Sequence, residues 1–125
     1  MSSLVRARFC DLLAPKVPHG NSDLFLMGML SLIDAILSVP MGLALEELSL
    51  DPEIKAQLLG AKTGKKTKLS PIFDLMIARE VGDWELVSSL GKQMNLSLSS
   101  IAASSNQAMR WAREISSAAR PETSR

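Results

Sequence analysis

Cys10, His19 and the acid pairs Glu46–Glu47 and Asp51–Glu53 are the residues whose types could carry chemistry. A thiol nucleophile needs a base beside it, and His19 is the sole imidazole in the chain. His19 lies in the proline-flanked segment "APKVPHGNSD" and reads as a surface loop histidine. Cys10 sits to one side of an apolar helix face and reads as a small packing residue. A zinc or transition-metal centre gathers several converging His, Cys or carboxylate ligands. One His and one Cys are a thin basis for such a centre, so no metal, cofactor or catalytic residue is expected. Glu46 and Glu47 are adjacent on a helix and point about 100° apart. Asp51 is accounted for by helix capping. Neither pair requires a general acid–base role.

The segment "GAKTGKKT", Gly60–Thr67, invites comparison with a phosphate-binding loop. That pattern needs a second glycine five positions after the first, followed by Lys and Ser or Thr. Lys65 stands at the glycine position, and no strand precedes the segment. Lys62, Lys65, Lys66 and Lys68 nevertheless form a local basic patch. The plain reading is a solvated loop; the alternative is contact with a phosphate group or an acidic partner. No aromatics are interleaved with the lysines, which argues against single-strand nucleic-acid binding.

These residues must be positioned by helices. The first is expected over about Ser3–Ala14, with Val5, Phe9, Leu12 and Leu13 on one face and Arg6 and Arg8 at its flanks. The second should start at Asn21 or Ser22 and run to Ser38, closed by Pro40. It is apolar around most of its circumference, except for Ser31, Asp34 and Ser38, which form one narrow stripe. Such a helix belongs at the centre of a bundle. A short helix over Gly42–Leu48 follows. The next is capped by Asp51, has Pro52 at its first position and is stopped by Gly60. Ser70 is expected to cap a helix ending at Gly82, and Asp83 to cap another over Trp84–Met94, with Asn95 as a left-handed stop. The last helix starts after Ser97 and ends before Pro121, with Leu98, Ile101, Ala102, Ala108, Met109, Ala112 and Ile115 on its apolar face. Trp84 is expected to pack into the core. Trp111 lies off the main apolar stripe, so core packing is less strongly expected for it, and a partly exposed Trp111 would suggest an interface anchor.

The chain has 125 residues and 46% hydrophobic content, enough for one domain with a single core. Three Phe, two Trp and no Tyr leave the core to Leu, Ile, Met and Ala, which favours helices. No alternating strand pattern is present. The reading is an all-α single domain of six or seven helices. A net charge of +1 gives no general attraction to nucleic acid or anionic membranes. The most apolar stretch, Leu24–Leu37, spans 14 residues and contains Asp34, short of the roughly 20 a membrane span needs. No secretory signal pattern opens the chain, and one cysteine excludes an internal disulfide framework, so a cytoplasmic location is expected.

Four stretches in order, "RARFCDLLA" (6–14), "LFLMGMLSLIDAILSVPM" (24–41), "LEELSLDPEIKAQLLG" (45–60) and "AREVGDWE" (78–85), resemble the C-terminal part of an HDOD domain. The likeness is to the HDOD half of bacterial proteins that join it to an EAL domain, the cyclic-di-GMP phosphodiesterase type, and covers roughly residues 4–115. The resemblance implies an HD-like helical bundle acting as a non-catalytic signalling module that binds a protein partner, an EAL-type domain or a second copy of itself. It aligns "GMLSLID" with a G-L-L-H-D-I-G segment of the HD phosphohydrolases. Ser31 then stands for a metal-binding His, Leu32 for an Asp, and Asp34 is left without histidine partners. Positions 31, 32 and 34 are thus vestigial. The alternative implied is a degenerate hydrolase that keeps nucleotide or phosphate on the lysines. An intact domain of this kind has helices before residue 4. The chain is therefore expected to be a partial domain over 1–120 with a disordered tail over 121–125, and to expose apolar surface that promotes association.

Overall fold

The computed structural model describes residues 2–17 and 23–119. Among them every regular element is helical: α1 (Ser2–Leu13), a 3₁₀ turn (Ala14–Lys16), α2 (Leu24–Leu30), α3 (Ile33–Leu37), α4 (Met41–Ala44), α5 (Pro52–Thr63), α6 (Ser70–Val81), α7 (Trp84–Gln93) and α8 (Leu98–Ala119). The all-α expectation holds, with short connections joining packed neighbours.

The centre of the bundle is α1, not the 24–37 segment. α1 packs along α2 and α8 and touches α6. Its buried residues Val5, Arg6, Ala7, Phe9, Cys10 and Leu13 cover rather more than half of the helix circumference. Phe9 and Leu13 are fully enclosed; each such side chain contributes about 1.5–3 kcal/mol over leaving it in water. Gly28 is what lets α2 lie so close. A Cβ there would sit 2.6 Å from the Arg6 carbonyl carbon and oxygen and 2.7 Å from the Ala7 Cα. The glycine is therefore needed for backbone-on-backbone contact between α1 and α2.

The predicted single helix over 22–38 is two helices. Asp23, rather than Asn21 or Ser22, caps α2, its carboxylate accepting the Leu26 N–H at 3.0 Å; residues 18–22 lie outside the described residues. The run stops at Ser31. Its hydroxyl donates to the Gly28 carbonyl at 2.7 Å, competing with the helical ladder. Leu32 (φ −114°, ψ 10°) restarts the chain as α3. α3 has no fully buried residue, so the apolar circumference does not make this half a central strut. Ile33 packs on the core, whereas Ile36 and Leu37 are exposed. Ser38 ends α3 in the left-handed conformation (φ 58°).

Three other boundaries differ from expectation. α5 continues past Gly60 to Thr63 and stops at Gly64 (φ 82°). Gly60 is instead a contact point: a Cβ there would lie 2.3 Å from the Lys65 carbonyl oxygen. α6 lacks a side-chain cap, because the Ser70 hydroxyl accepts the Thr67 N–H and donates to Gln57 Oε1. The expected short helix over 42–48 is α4 plus a turn. Asp51, Asp83 and the left-handed Asn95 take their expected roles. On α8 the buried positions are Ile101, Ser104, Ser105, Ala108 and Ala112, while Leu98, Met109 and Ile115 stay exposed. Pro121 and the 121–125 tail are outside the described residues. Of the two tryptophans, only Trp84 departs from its expected place in the core. Trp84 at the first turn of α7 is exposed, whereas Trp111 is half-buried, edge-on to Phe25 at 6.0 Å.

Candidate functional site

Ser31 opens onto an ion pair that the sequence reading missed. Arg6 was placed at a helix flank; it is buried, with its side chain 10% exposed. Its Nε donates to Glu80 Oε2 at 3.0 Å and its Nη2 to Glu80 Oε1, a two-pronged pairing of guanidinium and carboxylate. Nη1 donates to the Ser31 hydroxyl at 3.0 Å. Since that hydroxyl also donates to the Gly28 carbonyl, its hydrogen and one acceptor site are both in use. One guanidinium thus joins α1, the end of α2 and the end of α6. The Arg6 hydrogen bonds hold the Glu80 carboxyl below the usual carboxylate range, against the opposing effect of burial.

Arg79 flanks this joint. It lies 5.5 Å over the Phe9 ring and donates through Nη1 to the Ser105 hydroxyl at 3.2 Å. Burial lowers its pKa, partly offset by the neighbouring Glu80 charge. Arg8 makes a similar link on the other side of α1, bonded to Asp11 at 2.9 Å and stacked 5.6 Å over Trp111. Cys10 lies fully buried beside this cluster, its Sγ 3.5 Å from the Met76 sulfur. Burial pushes its thiol up to about 12, which leaves no nucleophilic thiolate near neutral pH. His19 is outside the described residues. Among the described residues no group of three His, Cys, Asp or Glu side chains is placed to hold a metal ion.

The other two positions that the resemblance singles out behave differently from Ser31. Leu32 is half-buried at the helix break. Asp34 pairs with Lys62 at 2.9 Å and accepts the Ala35 N–H at 2.9 Å. The Lys62 hydrogen bond, ahead of burial, which acts the other way, sets the net lowering of the Asp34 pKa. The predicted stripe is therefore split: Ser31 is buried in the joint, Asp34 holds α3 to α5, and Ser38 is an exposed helix stop.

The four lysines do not form a free cationic patch. Lys62 is on α5, not in a loop, and is spent on Asp34. Lys66 reaches Asp74 at 3.4 Å, and Lys68 reaches Glu53 at 2.9 Å. Only Lys65 makes no ion pair with a described residue. The segment is also pinned from beneath. Buried Gln57 receives the Thr67 hydroxyl at 2.6 Å and the Ser70 hydroxyl at 2.9 Å on one carbonyl oxygen. A polar residue one turn from Ile54 and next to Leu58, on the buried face of α5, was the available signal for that anchor. The Arg6–Glu80 pair had none, since 74 positions separate its members.

With this geometry in view, comparison with known proteins places the chain in context. It is similar to two bacterial proteins. One is the cyclic di-GMP phosphodiesterase CdgJ of Vibrio cholerae, 29% identical over 115 residues, which are 90% of this chain and 26% of that protein. The other is the uncharacterized protein YuxH of Bacillus subtilis, 34% identical over 94 residues, 74% of this chain and 22% of that protein. The chain spans about a quarter of the length of these curated relatives. No protein-family model and no solved structure matches it. No helix among the described residues is long and apolar enough to cross a membrane.

Proposed function

We propose that this chain is a non-catalytic, HDOD-like regulatory module of a cyclic-di-GMP signalling system, working in the cytoplasm by docking a helix face on a protein partner. One observation carries the reading: the polar groups at the vestigial positions are bound to cations of the same chain, Ser31 to Arg6 and Asp34 to Lys62. Ser31 stands where the resemblance puts a metal-binding His, and its hydroxyl here serves to hold helices together. Similarity to a cyclic-di-GMP phosphodiesterase across most of the chain supports the signalling link. The first partner to test is an EAL-type phosphodiesterase domain.

The test measures hydrolysis of cyclic-di-GMP by such a domain with and without this chain, and by this chain alone with magnesium or manganese. The expected result is no turnover by the chain alone. The chain should change the domain's rate by about fivefold or more, a coupling of ordinary size. Turnover by the chain alone that is lost on Asp34→Ala would sink the non-catalytic reading. A second reading, phosphate or nucleotide held by Lys62, Lys65 and Lys66, retains one favourable observation, the unpaired Lys65. Saturable calorimetric binding of cyclic-di-GMP abolished by Lys65→Ala would establish it over the first.

A further inference from the structure

A groove of about 460 Å³ runs between the end of α5 and the α6–α7 corner. Its floor is apolar, from Phe73, Ile77, Val81 and Leu86, and Lys65 and Lys66 stand on its wall. Two of the floor residues face water freely: Val81 is 70% exposed and Leu86 43%. The acids that also line the groove are already engaged. Asp74 holds Lys66, and Asp83 caps α7 through the Leu86 N–H. Lys65 is left as the uncommitted charge, so the groove asks for an apolar segment carrying carboxylates.

The same chain presents one. After α4 the backbone forms a compact turn, with the Glu46 N–H on the Leu43 carbonyl at 3.3 Å and the Leu48 N–H on the Leu45 carbonyl at 3.1 Å. Leu45 is fully buried and anchors it. Leu43 and Leu48 protrude on either side, 56% and 41% exposed, with exposed Glu46 and Glu47 between them. Neither glutamate makes an ion pair with a described residue. An acidic, apolar knuckle on one surface and an apolar groove carrying the uncommitted Lys65 on another are complementary in both charge and polarity.

We propose that the 43–48 knuckle of one copy seats in the α5–α6–α7 groove of a second copy, with Glu46 and Glu47 against Lys65 and competing with Asp74 for the exposed Lys66. The contact rests on the reading of the chain as an interaction module and names a second copy as one partner. Because knuckle and groove are different surfaces, the contact is head to tail. It closes as a twofold dimer when both pairs form at once or as a ring when the rotation between copies closes, and otherwise extends into longer species.

Sedimentation velocity over a range of concentrations tests it with two charge-reversed chains. One carries Lys65→Glu and Lys66→Glu, the other Glu46→Lys and Glu47→Lys; circular dichroism confirms that both fold. The wild type should self-associate, and each reversed chain should do so at least ~10-fold more weakly, since like charges then face each other. Mixing the two should restore association, because each reversed surface then meets its opposite. A wild type that stays monomeric throughout, or reversed chains that associate as the wild type does, would overturn the contact. A mixture that fails to associate would overturn it as well. The phosphodiesterase-rate assay is read separately, so loss of this contact and loss of the signalling reading are distinguishable.

Discussion

α2 and α3 come from one apolar run and meet different fates. α2 buries Leu24, Met27 and Gly28 against α1, whereas α3, two residues further on, leaves Ile36 and Leu37 in water. Composition does not separate them. α2 carries a glycine at the point where α1 must approach, and Ser31 gives up the helix ladder to serve Arg6. The ion pairs differ in the same way. Arg6–Glu80 is a two-pronged pair with 10% and 26% of the side chains exposed, whereas Lys62–Asp34 has Lys62 at 48%. The lesson is that burial follows backbone approach and polar satisfaction; apolar content alone leaves it open.

The comparison can be broken most forcefully at Gly28. Gly28→Ala places a methyl group into the α1 backbone, and the helices must separate; a loss of about 3 kcal/mol is expected, at the upper end for overpacking, measured by urea unfolding. Next comes Glu80→Ala, which strands a buried guanidinium. Its expected loss is about 2–3 kcal/mol, below the range for a wholly buried pair because Glu80 keeps some solvent. The pH profile sharpens the point. Glu80 is depressed in the folded state, so its contribution is present above its unfolded pKa and fades as pH falls through the folded value. Acid unfolding of Glu80→Gln should therefore show a shallower acid limb than the wild type. An unchanged limb would remove Glu80 from the account. On the α3 side, Lys62→Ala is expected to lower stability by less than ~1 kcal/mol, as for exposed pairs. Smallest of all, Ile36→Ser with Leu37→Ser should stay within about 0.5 kcal/mol, since neither residue is buried. A large loss there would mean that α3 is packed after all.

Much of the fold was legible because it is written locally. Asp51 with Pro52, Gly82 with Asp83, and Asn95 mark helix ends through their own backbone and side-chain chemistry, and the three helices they delimit are present. The errors arose where packing beyond the helix-end motif itself decides the outcome. Gly60 looked like a stop but serves the Lys65 carbonyl. Ser70 looked like a cap but is drawn to Gln57. Trp84 looked like core but points outward. The candidate site was the least legible part. Positions 31, 32 and 34 could be named from the likeness to HDOD domains, yet nothing near them announced Arg6 or Glu80. The lysines were found by composition, but their neutralisation by Asp34, Asp74 and Glu53 depends on how α3, α5 and α6 come together.

The burial of Cys10 on α1, against Met76 of α6, gives the molecule a built-in clock. Its single thiol is fully hidden and strongly disfavoured as thiolate. A thiol reagent in excess can reach it only when α1 leaves its neighbours, and α1 is the helix on which α2, α6 and α8 all lean. The labelling rate thus times the opening of the core as a whole, while the fraying of α3 and α4 passes unrecorded.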